Sequence, residues 1–261
     1  MTLGKSAGSV RAMERGLSRA AVVEPAAAND GGLQVRAGEL AACYEELVAA
    51  AEGAAVRWRW ATPTSGYGDL EPLRLQRMGC SPGHWLHRPP PPWQEHEAIG
   101  FDALDRVVCV RQYDATGEVW LERFASWMRD RVEVACYRAP LECGEGELPA
   151  ELQSVMWMRL AAGKPVESER YMPPTGSCSR ERYRHEGGRL ARVEEESCDE
   201  GGGLATLVKE MVYGEDGRVT GIDALGPDGR QAVWRYEGQP HPARREARSP
   251  APGRLRRQVC V

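Results

Sequence analysis

The chain has 261 residues and a formal net charge of −4, with 42% hydrophobic and 28% charged residues. Those proportions fit a globular protein with a sizeable core, and the mild acidity excludes a nucleic-acid binder that uses its whole surface. No apolar run approaches the roughly 18 residues of a membrane-spanning helix.

Residues 1–32 are rich in Ala, Gly and Ser, and are expected to form a disordered leader ahead of one β-rich domain, 33–238. The N-terminus has basic residues but no continuous apolar core of a secretory signal. Eight cysteines are scattered without the dense spacing of a stapled secreted domain. Both features point to a reducing, cytoplasmic setting. Leu40, Cys43, Tyr44, Leu47, Val48 and Ala51 recur at three- and four-residue intervals, which predicts one helix over 39–52 with Gly53 as its stop. Val56–Trp60 alternates strictly and predicts a strand with Trp58 and Trp60 on one face, Arg57 and Arg59 on the other.

Residues 61–97 are punctuated by Pro and Gly, and the run Pro89–Pro92 excludes helix and central strand. An irregular stretch of that length inside a domain is a functional loop or a connector, so it is the first place to look for a site. From 99 to 237 the chain reads as a β-meander. Strand cores are predicted at 106–113, 118–126, 131–138, 152–160, 165–171, 179–185, 189–197, 205–213, 217–225 and 230–237. Aromatic or apolar markers twelve residues apart (101 and 113, 171 and 183, 213 and 225) match one strand plus a tight turn. Gly187-Gly188, Asp216-Gly217 and Asp228-Gly229 are dipeptides of primed hairpin turns. Gly201–Gly203 predicts a looser loop. The expected fold is mainly β, an antiparallel meander sheet or half-barrel of 8–10 strands with one N-terminal helix. Residues 239–261, with six Arg and one Glu, are expected to be a disordered basic tail that contacts anions weakly and without selectivity.

Within the meander one unit recurs: Phe101-Asp102 followed by Asp105-Arg106-Val107, Tyr113-Asp114 followed by Gly117-Glu118-Val119, and Tyr213 followed by Gly217-Arg218-Val219. This unit resembles the YD repeat of the RHS proteins, whose hairpins wind into a large sheet. The resemblance covers roughly 99–138 and 171–237. The Tyr113 copy carries Glu118 where the repeat has Arg, and the copies are too few to enclose a shell. What the resemblance implies is a hairpin sheet of similar local design. Physically, Asp114 is expected to cap its turn, and Gly117, Gly217 and Gly229 to supply positive φ.

The sharpest chemical constellation is Cys80-x3-His84-x2-His87, with His96 nine residues on. Cys and His at such intervals suit zinc, with His96 or water as the fourth ligand, although the spacing matches no standard finger. The alternative within the same stretch is a Cys80/His84 nucleophile pair oriented by Glu95 or Glu97. Both compete with surface histidines in an aromatic-rich loop. Eight Trp against two Phe single out Trp58, Trp60, Trp85 and Trp93 as partner or ligand contacts. No hydrolase, zincin, phosphate-loop or dinucleotide motif is present. The expectation is a non-enzymatic binding protein, a partner or immunity protein of an RHS-type toxin system. Its rivals are a small-ligand carrier built on a curled sheet and a zinc- or thiol-dependent enzyme using residues 80–97.

Overall fold

The alternation read from 106 onward forms strands at nearly the predicted places. The computed structural model describes residues 32–236 except 64, 144–145, 199–203 and 227–228. Its strands are β1 Arg57–Ala61, β2 Trp85–Leu86, β3 His96–Phe101, β4 Val107–Tyr113, β5 Val119–Trp127, β6 Arg131–Arg138, β7 Leu141–Cys143 and β8 Gly146–Leu148. They continue with β9 Glu151–Ala161, β10 Lys164–Met172, β11 Ser177–Glu186, β12 Arg189–Cys198, β13 Leu204–Tyr213, β14 Val219–Gly226 and β15 Gly229–Arg235. Thirteen of them make one sheet in the order β15-β14-β13-β12-β11-β10-β9-β6-β5-β4-β3-β1-β2, while β7 and β8 form a separate hairpin. Every pairing is antiparallel, so the meander is the fold, and the sheet is not closed. It holds thirteen strands instead of eight to ten because β1, β2 and β3, from the tryptophan segment and the irregular stretch, extend one edge.

Two N-terminal helices replace the single one expected over 39–52: α1, Gly32–Leu40, and α2, Tyr44–Ala54. The chain breaks at Cys43 (φ −101°, ψ 14°). That break lets Ala37 and Leu40 of α1 and Tyr44 of α2 reach one cluster around Phe124, Tyr137 and Val155. The Tyr137 hydroxyl donates to the Leu40 carbonyl at 2.6 Å and so satisfies an acceptor at the end of α1. Cys109 lies in the same cluster, where burial pushes its thiol up to about 12 and makes it an apolar filler. Because α1 starts at Gly32, the expected leader boundary falls inside a helix. Residues 1–31, the 239–261 tail, Gly201–Gly203 and Asp228 lie outside the described residues.

Register fixes which side chains share a face. Gly100, Cys109, Phe124, Ala135, Val155 and Tyr171 form one cross-strand row beneath the helices. Ile99, Val110, Arg123, Cys136 and Ser154 form a row on the opposite face. Residues 62–84, with the short helix α3 at Arg74–Arg77, cover that second face. The central strands are therefore buried on both sides, and all six residues of β3 are buried.

The covering segment also shows how far the sheet curls. A side-chain carbon added at Gly79 would meet the Val233 carbonyl of β15 at 3.3 Å. Five residues later His84 pairs with Thr62, its N–H donating to the Thr62 hydroxyl at 2.9 Å, beside β1 and β2. Five residues reach at most ~18 Å. Thirteen strands laid flat would put those edges roughly 58 Å apart. The sheet is thus an open half-barrel, and residues 62–84 run inside it as a strap.

The turns follow two designs. Gly187 and Gly188 both have positive φ (55° and 83°) between the paired residues Glu186 and Arg189, the primed two-residue turn expected. Ala162 and Gly163 repeat it with φ 50° and 75°. The units that begin at Asp102, Asp114 and Gly214 differ from that expectation. In each, the fourth residue donates its N–H to the first carbonyl: Asp105 to Asp102, Gly117 to Asp114, Gly217 to Gly214. The fourth residue is left-handed (φ 64°, 86° and 77°), and the strand that follows the turn carries a bulge. This is a four-residue turn closed by a left-handed residue and a bulge, not a primed dipeptide. Asp114 caps its turn as expected: Oδ1 accepts from the Thr116 and Glu118 N–H groups at 2.8 and 3.1 Å. The Thr116 hydroxyl first, then those backbone donors, hold the Asp114 carboxyl below its ordinary range.

Candidate functional site

The residues proposed for zinc are not gathered. Cys80, His84 and His87 are exposed. His96 is buried in β3, stacked on Tyr113 with ring centroids 4.4 Å apart, and its Nδ1 faces the Gln94 carbonyl at 2.7 Å. Among the described residues no group of three or more His, Cys, Asp or Glu is arranged to hold a metal ion. Glu97, an expected orienting group for a Cys80/His84 pair, faces the strap and accepts from Ser65. The four tryptophans separate as well. Trp58 packs in the helix-side cluster with the Arg111 guanidinium over its ring, and Trp60 is half-buried on the same face of β1. Trp85 stacks on Tyr67 at 4.1 Å with Arg59 over it at 3.8 Å. Trp93 is 73% exposed.

What the irregular stretch builds is a roofed chamber. The strap is fastened at four points by charged or hydroxyl groups facing successive parts of the sheet. The Ser65 N–H and hydroxyl both donate to Glu97 Oε2 on β3. Asp69 pairs with Arg123 on β5, and Glu71 with Arg170 on β10. Arg77 on α3 makes a two-pronged contact with Glu181 on β11, at 2.7 and 2.9 Å. Burial alone would raise the Glu181 carboxyl, but the Arg77 bonds outweigh it and the group sits below its ordinary range. Leu70 and Leu73 add apolar anchors on the Met156/Met158 and Tyr183/Ile222 clusters. Gly68 permits the closest approach, since a side-chain carbon there would lie 2.5 Å from Val110 Cγ2.

Between strap and sheet lies a chamber of about 220 Å³. Val107, Val110, Leu121, Ala125, Val134 and Met156 supply its apolar wall. Three cations (Arg74, Arg123, Arg170) face three carboxylates (Asp69, Glu71, Glu97), so the lining carries no net charge. Arg123 Nε is buried there without a hydrogen-bond partner, although the rest of its guanidinium pairs with Asp69 and approaches Glu97 at 3.8 Å. A second, more polar chamber of about 390 Å³ shares Glu71, Arg74, Met78 and Arg170 with the first and extends to Glu195 and Lys209.

The irregular stretch singled out from the sequence contributes the strap, and Glu97 is the one chamber-lining residue that the sequence reading named for a chemical role. A charge at an inward strand position marks the fastenings of the strap: Arg123 in β5, Glu97 in β3, Glu181 in β11. No protein-family model matches the chain, and no curated protein matches it. Among the described residues no helix is long and apolar enough to cross a membrane.

Proposed function

We propose that the protein is a non-catalytic binding protein that holds a small, uncharged ligand between the strap and the concave face of the half-barrel. The observation that carries this reading is the buried Arg123 Nε, a donor without an acceptor in a chamber whose remaining wall is apolar side chains and mutually balanced charges. A buried donor left unpaired costs about 1–3 kcal/mol, which a ligand carbonyl or ether oxygen would offset. Balanced lining charges disfavour an ion, and a volume below the ~300–1,000 Å³ of drug-sized sites sets the scale at a single ring or a short chain. No disulfide links Cys43, Cys80, Cys109, Cys136, Cys178 or Cys198, which supports a cytoplasmic setting.

Native mass spectrometry of the purified protein tests the ligand reading. A small molecule should leave on denaturation, and Ala125→Leu, which fills the chamber, should lose it without lowering Tm. A native mass equal to the bare chain, with no thermal shift from neutral single-ring probes, would overturn it. Exposed Trp93 favours a second reading, in which the chain binds another protein, as a partner or immunity protein of an RHS-type toxin. The three turns of identical bonding are what support the YD-repeat likeness behind it. Trp93→Ala should then weaken capture of a toxin domain encoded beside this chain and leave ligand mass unchanged.

A further inference from the structure

Cys178 is the second residue of β11 and Cys198 the last of β12, and the two are direct cross-strand partners. Their row is fixed on both sides, since Cys178 also faces Tyr171 and Cys198 also faces Leu204. Cys178 is exposed and Cys198 half-buried. Directly opposed residues of an antiparallel pair have Cα atoms ~4.5–5.5 Å apart, inside the ~4.4–6.8 Å that a disulfide spans. The register therefore brings the two sulfurs within bonding reach without any movement of the backbone, and the thiols already hydrogen-bond each other. Cys80, the other exposed cysteine among the described residues, contacts only the Met78 carbonyl, at 3.9 Å.

We propose that Cys178 and Cys198 form a dithiol site that undergoes exchange with small disulfides such as oxidised glutathione and closes to a cross-strand bridge. The exposed Cys178 thiolate attacks one sulfur of the small disulfide, forming a mixed disulfide and releasing one small thiolate. Cys198, deprotonated in turn, attacks the Cys178 sulfur and releases the second. The protein loses two electrons and two protons, and the small disulfide gains them as two thiols, so the step balances. Both cysteines lie on the rim of the polar outer chamber, so the bridge ties together two strands that bound it. Burial raises the Cys178 thiol, and the contact with Cys198 raises it further. Exchange is accordingly slow at neutral pH and accelerates as pH rises.

The reduced full-length chain is incubated with oxidised glutathione, free thiols are alkylated, and peptides are mapped by mass spectrometry. A Cys178–Cys198 bridge is expected, formed faster at higher pH and reversed by dithiothreitol, while Cys80 stops at a glutathione adduct. In Cys198→Ser the adduct on Cys178 should persist, because the resolving thiol is gone. Recovery of both thiols unreacted, or a lasting adduct on Cys178 of the unsubstituted chain, overturns the assignment.

Discussion

Three glycines with positive φ face different surroundings, and that difference ranks them. Gly117 (φ 86°) lies under Pro92, whose carbonyl would sit 2.9 Å from an added side-chain carbon. Gly217 (φ 77°) faces only the Arg189 guanidinium at 2.4 Å, a flexible end that can swing away. Gly229 (φ 101°) has nothing within 4 Å. A left-handed non-glycine residue costs about 1–2 kcal/mol on its own. Gly217→Ala and Gly229→Ala should each lose about that much in denaturant unfolding, and Gly117→Ala should lose more. Equal losses at all three would mean that Pro92 gives way freely. A second residue-scale feature is the pair beneath α1. Arg36 is 2% exposed and bonds Glu133 through Nε and Nη2 at 2.9 and 2.7 Å, while Trp157 Nε1 donates to the same carboxylate at 2.8 Å. Removing one member of such a pair strands a buried charge, so Arg36→Met should destabilise by about 3–5 kcal/mol. Arg36→Met with Glu133→Leu should recover much of that, as measured by urea melts.

Among elements, the strap is where ionic contacts matter most, because its pairs are desolvated. The Arg77 and Glu181 side chains are 2% and 10% exposed, whereas Arg182 and Glu196 on the outer face are 43% and 37% exposed. Arg77→Met should cost about 3–5 kcal/mol and admit protease to residues 62–84. Arg182→Ala should change stability by less than about 1 kcal/mol. Acid should act through the same element. The Glu181 carboxyl is held below its ordinary value when folded, so its stabilising effect is complete above the unfolded carboxylate value near ~4.3. That effect fades as pH falls through the lower, folded value. Strap cleavage should therefore rise on acidification below about pH 4, in advance of the global transition; simultaneous loss would mean that the strap is no separate unit.

The contrast between strands and strap explains what could be read in advance. The strands β4–β6 and β9–β15 are specified by alternation and by turn residues next to them, and each of the ten predicted cores overlaps one of them, whereas the short β7 and β8 were not expected. The four-residue turns were recognised by Asp114, Gly117 and Gly217 but misassigned in type, because Asp-Gly suits two designs that differ only in which residue starts the turn. The strap escaped because its partners are remote: Asp69 and Arg123 are 54 residues apart, Arg77 and Glu181 are 104 apart. No local period encodes contacts at that range. The helix break at Cys43 likewise depends on Tyr44 packing against Phe124 and Tyr137, which lie far along the chain.

At the scale of the whole molecule, an open sheet of this length leaves two edges and curls to shield its concave face. The β2 edge is only two residues long, and β15 is met by the strap at Gly79. Short and covered edges are the usual protection against strand-to-strand aggregation. The strap has a further consequence, for the order in which the chain leaves the ribosome. Synthesis delivers residues 62–84 after β1 and before the other twelve strands of the sheet, yet the last of their fastenings come much later: Glu181 about a hundred residues on, Val233 later still. Each hairpin can zip onto the one before it as it emerges, through contacts between neighbours. The strap is fastened stepwise as Glu97, Arg123 and Arg170 emerge, and its α3 end waits longest. In pulse-labelled hydrogen exchange during refolding, amides of β4–β6 should become protected first and those of 74–79 last. Nascent chains stalled before Glu181 should hold the strap at Glu97, Arg123 and Arg170 but leave Arg77 unpaired, a form whose chamber is lined yet stays open at the α3 end.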